Sequence, residues 1–318
     1  MIQTLIFVVA SFPSMISMFD ADKGVFAWHQ DIISYESRND QQCMSFVSTC
    51  HLFEESWNEL PQPLFWQKIM ALSPDSCIVN VASNRKIIKT IAYKDWERNT
   101  PEQKNTFRDS LKLAHGLAPD DQIFFTSGKN HFYRFGAVIP QITLGVDVFA
   151  GNFVDPWYAQ AILLIESPGQ LAKSTAGAYG PFQLMPGVAR NMGLTVNKYA
   201  DERSDFDKSA WAASQLLKRI CIPEAQRILD ARSISYNQTD LWFRLFVMHI
   251  YHAGAGNVAK VVEAINPTSG GQELITAMWQ TKAGGFGNAS QNYSQVVLAA
   301  LLTLDGILQS SEELAVFK

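Results

Sequence analysis

The stretch from Trp157 to Ser167 reads WYAQAILLIES, and it places one acidic residue, Glu166, at the end of an almost wholly apolar run. Burial disfavours the charged form of a carboxyl group. The last turn of a helix adds to this effect, because its exposed carbonyl groups carry partial negative charge. Both effects raise the pKa of Glu166, and a carboxyl group that keeps its proton near neutral pH suits a general acid. The sequence therefore predicts a helix that ends in a candidate catalytic acid.

Size and composition limit the classes of protein to which the chain can belong. It has 318 residues, enough for two ordinary domains, and 47% of them are apolar, enough for a core. The net charge is −4 and no run of Lys or Arg occurs, which argues against nucleic acid as a partner. No motif indicates a cofactor, and we predict none.

The N-terminus contains a short apolar stretch within Met1–Pro13. This stretch is far too short to span a bilayer, so no stable membrane span is predicted. It resembles the apolar region of a secretory signal peptide, although Lys and Arg are absent before it. We therefore expect residues 1–19 to be a signal peptide and the protein to be exported to the periplasm or cell envelope. The alternative is a buried N-terminal strand.

Four cysteines occur, and none forms a Cys-x-x-Cys pair. They are Cys43, Cys50, Cys77 and Cys221. Cys43 and Cys50 are close enough in sequence for a disulfide, which export would permit. The equally favoured alternative is that all four are small buried hydrophobic residues.

Residues 20–150 are predicted to form a mixed α+β domain, to which the sequence assigns no role. Thr100, Pro101 and Gln103 together indicate the capped start of a helix. The predicted elements are a helical region over 25–75, strands over 78–81 and 86–93, a helix ending near 115, and a hairpin of 123–126 with 131–135.

The character of the sequence changes at Gly151, where we place the domain boundary. After it, Asp155 followed by Pro156 indicates a helix start, and the remaining pattern is helix and loop. The predicted helices span 156–167, 186–192, 206–219, 240–252, 255–264, 272–279 and 291–310. The fold class is therefore α+β, with a mainly α-helical domain over 151–318 behind the mixed domain.

Several short motifs follow in a fixed order. They are Glu166-Ser167 with Ser174 after it, Gly177-Ala178-Tyr179-Gly180, Gln183-Leu184-Met185-Pro186, Asp201-Glu202-Arg203, and Tyr251-His252-Ala253-Gly254. Each motif is weak alone, but their order and spacing resemble the lytic transglycosylase family. The resemblance covers about residues 151–305, where Tyr293 occupies the place of a family Tyr.

The resemblance implies a lysozyme-like fold and an enzyme that cleaves peptidoglycan glycan strands. It implies that Glu166 protonates the bond between N-acetylmuramic acid and N-acetylglucosamine and then acts as base, so that a 1,6-anhydro sugar forms. Cell-envelope proteins are possible partners. The implied substrate-binding or supporting residues are Ser174, Gly177, Ala178, Tyr179, Gln183, Met185, Tyr251, His252 and Tyr293.

Each supporting residue also has a purely structural alternative. Ser174 either bonds a carboxyl or N-acetyl group or makes a local turn bond. Gln183 either binds a sugar N-acetyl group or braces the Gly-rich loop, by which we mean residues 174–185. We expect Met185 in the core and the Tyr251 hydroxyl on the acidic carboxyl group. Tyr293 has the same two interpretations as Tyr251, with the ordinary buried Tyr favoured.

The aromatic residues of the Gly-rich loop leave two interpretations open. Tyr179 and Phe182 either stack on sugar faces or close the loop.

Departures from the family pattern leave the loop shape and the substrate subsites open. One residue fewer separates Glu166 from Ser174, and His252 stands where the family has Asn. Ala289-Ser290-Gln291 replaces Glu-Thr-Arg. One alternative function is a hydrolytic lysozyme or chitinase, and another is a non-catalytic glycan-binding module. A hydrolase needs a second carboxylate, for which Asp201, Glu202 and Asp205 are the first candidates.

His249 and His252 are two candidate metal ligands, because residues three apart share a helix face. No third ligand of suitable spacing follows. The sequence therefore predicts no metal site here.

Overall fold

The computed structural model describes residues 7–9, 31–37, 43–166, 168, 171 and 173–316. The strands are β1 Phe7–Val9, β2 Ile32–Ser37, β3 Cys43–Val47, β4 Ser76–Val81, β5 Ile87–Ala92 and β6 Ile123–Ser127. They form two antiparallel three-stranded sheets, one ordered β1-β2-β3 and the other β5-β4-β6.

Helices make up most of the remaining structure. They are α1 His51–Glu54, α2 Pro61–Ala71, α3 Tyr93–Glu97, α4 Pro101–Ala114, α5 Phe135–Gly151, α6 Trp157–Ile165, α7 Pro186–Asn191, α8 Phe206–Leu216, α9 Ile222–Asp230, α10 Leu241–Ala253, α11 Ala255–Ile265, α12 Gln272–Gln280 and α13 Asn288–Val316. A π-helical segment, Leu217–Cys221, joins α8 to α9. The α+β fold class is confirmed, with both sheets in the N-terminal part.

The prediction of a helical region over 25–75 was wrong for its first half. Residues 32–37 and 43–47 pair as β2 and β3 instead. Burial of Phe46 in the main core stabilises β3, and the Gln160 side chain on α6 bonds both the N–H and the carbonyl of Val47 at 2.9 Å. Long-range contacts therefore override local helix preference here. The second half of the prediction is confirmed by α1 and α2.

The predicted hairpin of 123–126 with 131–135 was also wrong. β6 pairs with the central strand β4, and residue 135 begins α5. The reason is burial, because Ile123 and Val79 pack together with Leu111 in a small separate core. By contrast, the strands β4 and β5 and the helix α4 lie where predicted. The Thr100 side chain and Gln103 form the expected capping box.

The predicted helices after Gly151 are all present, and α9 is additional. Asp155 begins α6 as expected, because its carboxylate accepts a hydrogen bond from the Trp157 N–H at 2.9 Å. Pro186 begins α7. The helix α5, which ends at Gly151, was not predicted.

One hydrophobic core extends from β3 and α2 through α5, α6 and α10 to α13. Arg244 on α10 is buried within it, and its guanidinium binds Asp155 at 2.7 Å and Asp31 at 3.0 Å. The core therefore contains residues from both sides of Gly151, and a domain boundary there remains a prediction.

The described residues bear on the expectations about the N-terminal stretch, the cysteines and a membrane span. Phe7–Val9 pairs with β2, the arrangement expected of an N-terminal strand, while residues 1–6 and 10–19 lie outside the described residues. Cys50, Cys77 and Cys221 carry free thiols, and the Cys43 side chain lies outside the description. None of the described helices is both long and apolar enough to cross a membrane.

Candidate active site

Glu166 ends α6 as the sequence predicts. All nine residues of α6 are buried, and the Glu166 N–H donates to the Ile162 carbonyl at 2.9 Å, which closes the last turn. The Glu166 side chain itself is only partly exposed. The apolar helix thus carries a carboxyl group to the edge of the core. Ser167, the next residue of the motif, lies outside the described residues.

Tyr293 on α13 is a hydrogen-bond partner of this carboxyl group. Its hydroxyl donates a hydrogen bond of 2.6 Å to Oε1 of Glu166. Burial raises the pKa of Glu166 to about 7, and this hydrogen bond opposes the rise because it stabilises the carboxylate. At neutral pH both protonation states of Glu166 are therefore populated.

The hydrogen bond expected of Tyr251 was assigned to the wrong tyrosine. The Tyr251 hydroxyl donates to the Phe182 carbonyl at 2.6 Å, and it is Tyr293 that bonds Glu166. Burial, followed by the negative charge of Glu166, raises the pKa of Tyr251. Tyr251 therefore lies near the carboxyl group but anchors the Gly-rich loop.

A third tyrosine near Glu166 was missed. Tyr133 precedes α5 and is buried, and its pKa is raised by burial and then by the charge of Glu166. Its ring stacks on Phe135 with centroids 6.2 Å apart. Since Tyr133 fell in a predicted strand with no motif around it, only the packing of α5 on α6 brings it to the site.

The Gly-rich loop is held by hydrogen bonds within itself. Ser174 Oγ accepts from the Ala178 N–H at 2.9 Å, which is the local turn bond. Gln183 Nε2 donates to the Gly180 carbonyl at 2.9 Å, which is the bracing bond. Ser174 and Gln183 therefore both make the hydrogen bonds of their purely structural roles.

Arg203 joins this loop to the next segment, and its role was not predicted. Its buried guanidinium donates to the carbonyls of Gly177 and Leu184, each at 2.8 Å, and it binds the Asp201 carboxylate. Gly180 passes so close that a Cβ atom there would collide with the Arg203 carbonyl. The Asp-x-Arg spacing was visible in the sequence, but the carbonyl partners of Arg203 are 26 and 19 residues away.

Comparison with protein families agrees with this geometry. Residues 151–266 match the family model described as Transglycosylase SLT domain. The matched range lies mainly in the C-terminal half, and we call residues 151–266 the SLT domain. The match covers 116 of the 318 residues and supports a glycan-cleaving role of the transglycosylase type. No curated protein matches the chain.

The matched range of the SLT domain includes Glu166, the Gly-rich loop, Arg203 and Tyr251. Tyr293 lies beyond it, on α13. The Glu166 carboxyl group therefore accepts a hydrogen bond from a residue outside the matched range.

Two side chains of the loop differ in exposure. Met185 was expected in the core, but it is 42% exposed, because it stands at the N-cap of α7, a short helix whose buried residue is Ala189. Phe182 is fully buried and stacks on Phe149 with centroids 5.7 Å apart, so it closes the loop. Tyr179 is half-buried beneath the Arg203 guanidinium.

The two histidines of the SLT domain make separate contacts. His252 stacks on Tyr293 with centroids 4.2 Å apart, and loss of water from that face lowers its pKa. His249 is fully buried, bonds Ser294 Oγ at 2.9 Å, and has its pKa lowered to about 3, mainly by burial. Among the described residues, the group close enough together to hold a metal ion does not include these histidines. It consists of Cys50, His51 and Glu54, in and just before α1.

The three acids considered as a second carboxylate all have structural partners. The hydrogen bond from Arg203 lowers the pKa of Asp201, and that from Lys208 lowers the pKa of Glu202. Asp205 accepts from the Lys208 N–H and caps α8. Each acid therefore stabilises the structure around the loop.

Proposed function

We propose that the SLT domain is a lytic transglycosylase that cleaves peptidoglycan glycan strands, with Glu166 as both acid and base. The observation that carries the proposal is the Glu166 carboxyl group, which combines a pKa of about 7 with a hydrogen bond from Tyr293. A group with a pKa near the working pH can give up a proton and take one back.

In the first step Glu166 donates its proton to the glycosidic oxygen between N-acetylmuramic acid and N-acetylglucosamine. The bond to the anomeric carbon breaks, and the N-acetyl group of the substrate stabilises the positive charge. The Glu166 carboxylate that remains accepts the 2.6 Å hydrogen bond from Tyr293. This hydrogen bond is charge-assisted once the proton has left, so it strengthens as the reaction proceeds.

In the second step the Glu166 carboxylate removes the proton from the C6 hydroxyl of the muramic acid. The C6 oxygen attacks the anomeric carbon, and a 1,6-anhydro ring closes. Glu166 recovers its proton, and no water is consumed. One carboxyl group therefore serves both steps, as microscopic reversibility permits.

The partners of the neighbouring acids support a mechanism with one carboxyl group. Asp201 is bound to Arg203, Glu202 to Lys208, and Asp205 to the start of α8. A water-consuming glycosidase usually needs a second carboxylate that is available to the substrate.

The test is the chemistry of the product ends. Purified protein is incubated with peptidoglycan, and the released muropeptides are analysed by mass spectrometry. We expect 1,6-anhydro ends. Reducing ends would indicate the hydrolytic alternative, and retention of the protein on peptidoglycan without release would indicate the glycan-binding alternative.

A matched pair of variants assigns the reaction to one side chain. Glu166→Gln keeps the volume of the side chain and removes the transferable proton, so we expect release to fall about 10²–10⁴-fold. Glu224→Gln is the control, because Glu224 forms an exposed ion pair with Arg227 on α9. If Glu166→Gln retains full cleavage, the acid is a different residue.

The proposed substrate lies outside the cytoplasmic membrane, so we also propose that the protein is exported and works in the cell envelope, where envelope proteins are possible partners. The apolar stretch within residues 1–19 has the pattern of a signal peptide, whereas its residues 7–9 also pair with β2, so the test decides between a cleaved leader and a retained strand. Fractionation followed by N-terminal sequencing tests this. Cytoplasmic protein that begins at Met1 would contradict it.

A further inference from the structure

Arg85 is a buried cation in the turn between β4 and β5. It is only 6% exposed, and its backbone has a φ of 59°, a left-handed conformation that costs a non-glycine residue about 1 kcal/mol or more. Its guanidinium lies against the rings of Phe65, Trp66 and Phe124, with centroids 5.2–5.7 Å away. The turn therefore holds a positive charge among aromatic side chains.

This cation differs from the other two buried arginines. Arg203 binds Asp201 and Arg244 binds Asp155 and Asp31, whereas no carboxylate within the described ranges lies at ion-pair distance from Arg85. The hydrogen-bond partner of its guanidinium there is a neutral amide, Oδ1 of Asn292, at 2.6 Å. A guanidinium has five N–H donors, and an unpaired buried charge is costly. The arrangement is therefore suited to an anionic ligand.

Two cavities, of about 490 and 440 Å³, share Arg85 in their walls. Both volumes lie within the range of small-molecule sites. The larger cavity lies between the β4–β5 turn, the start of β6 and the helices α12 and α13. We call the two cavities together the Arg85 cleft.

The polar lining of the Arg85 cleft consists largely of amides. Gln62, Gln122 and Gln291 line the larger cavity, and their side chains make no hydrogen bond to the part of the chain that the structure describes. Each offers both a donor and an acceptor, as a peptide group does. Three such side chains in one cavity can pair with the N–H and carbonyl groups of a peptide.

The charges at the cleft exclude a strongly anionic ligand. Asp120 and Asp121 also line the larger cavity, Asp120 exposed and Asp121 partly exposed, and both repel polyanions. Lys282 is a second cation in the wall. A ligand with one carboxylate, directed to Arg85, and an otherwise neutral or cationic body fits this distribution.

We propose that the Arg85 cleft binds the free carboxylate of a short peptide, with Arg85 on the carboxylate and the glutamines on the peptide groups. Under the proposed function, the source of such a carboxylate is the peptide stem of peptidoglycan. That identification of the source rests on the proposed function, whereas binding of a peptide carboxylate does not.

The cleft also adjoins the candidate active site along α13. Asn292 bonds Arg85, and the next residue, Tyr293, bonds Glu166. The two side chains point about 100° apart on the helix. A peptide in the cleft and a glycan at Glu166 therefore contact neighbouring positions of one rigid element.

The test uses the full-length protein with Glu166→Gln, so that no turnover occurs. The probes are N-acetyl-trialanine with a free carboxylate and the same peptide with a C-terminal amide, and binding is measured by calorimetry. We expect the free acid to bind about tenfold more tightly, because charge-assisted bidentate hydrogen bonds are lost in the amide. Equal affinity of the two peptides would overturn the proposal.

Variants of the cleft give a second test. Arg85→Lys keeps the charge but loses the planar fork, and we expect about tenfold weaker binding of the free acid. Gln122→Ala changes an exposed side chain and tests the amide contacts without threatening the fold, with an expected weakening of about threefold. Arg227→Lys, in an exposed ion pair on α9, is the matched control and should bind normally.

The outcomes separate this inference from the proposed function. Unchanged binding in both Arg85→Lys and Gln122→Ala would overturn the Arg85 cleft even if glycan cleavage proceeds. Conversely, carboxylate-dependent peptide binding with no glycan cleavage by the otherwise unmodified protein would overturn the proposed function and leave the cleft intact. If Arg85→Lys does not fold, the acid–amide comparison and Gln122→Ala decide.

Discussion

The hydroxyl of Tyr293 lies 2.6 Å from Oε1 of Glu166 and donates a hydrogen bond to it. The two residues are 127 positions apart, and the bond connects the end of α6 to α13. It favours the carboxylate, while burial favours the protonated form, and burial dominates because the pKa of Glu166 rises from 4.5 to about 7. This balance sets the pH dependence of both cleavage and stability.

The first prediction concerns the pH dependence of cleavage. Glu166 has to be protonated to donate its proton, so kcat/KM should fall above about pH 7, tenfold for each further unit. Release of labelled muropeptides between pH 5 and 9 measures this. A rate that stays constant up to pH 9 would exclude Glu166 as the acid.

The second prediction concerns Tyr293→Phe. Loss of its hydroxyl removes a hydrogen bond that stabilises the carboxylate, so the pKa of Glu166 rises and the falling limb of the pH profile moves to higher pH. Tyr251→Phe is the control, because that hydroxyl bonds the Phe182 carbonyl. Tyr251→Phe should lower the melting temperature and leave the falling limb of the pH profile unchanged. The same limb shift in both variants would contradict the assigned hydrogen bond.

The third prediction concerns the free energy of unfolding as a function of pH. The folded pKa of Glu166 is about 7 and its ordinary value is 4.5, so the folded state binds more protons between these values. Stability is therefore present in full below about pH 4.5 and is lost as the pH rises through 7, by about 3 kcal/mol. Urea unfolding at pH 5 and pH 8 measures it. Glu166→Gln should lack this loss.

The fourth prediction concerns Arg203→Met. The substitution leaves the Gly177 and Leu184 carbonyls and the Asp201 carboxylate without their buried partner, so stability should fall by about 3–5 kcal/mol. Chemical denaturation measures the loss. Arg227→Met, which removes an exposed ion pair, should leave the unfolding midpoint unchanged. Similar midpoints for the two variants would show that Arg203 does not hold the loop.

The fifth prediction compares two glycines of the loop. Gly180→Ala requires a φ of +84° and drives its Cβ into the Arg203 carbonyl, so it should reduce both stability and cleavage. Gly177→Ala has a similar φ of +94° but open space around its Cβ, so it should cost only about 1–2 kcal/mol. Melting temperatures of the two variants test the order. A greater loss in Gly177→Ala would contradict the close approach to Arg203.

Local sequence patterns and long-range packing determine different parts of this fold. The α6 helix, its Asp155 cap and the position of Glu166 were predictable, because an apolar run and a capping residue act over a few positions. The pairing of β6 with β4 was not, because a hairpin and a central strand have the same local pattern. Met185 shows the same limit, since its apolar character did not place it in the core.

The sequence alone therefore specified the position of Glu166, the helix that carries it and the Gly-rich loop after it. Only the tertiary structure decided which tyrosine bonds Glu166 and that Arg203 holds the loop together. It also decided that Arg85 is buried with no carboxylate of the described residues at ion-pair distance. The physical reason is that helix propensity and capping depend on neighbouring residues, whereas hydrogen-bond partners and burial depend on which distant elements pack together.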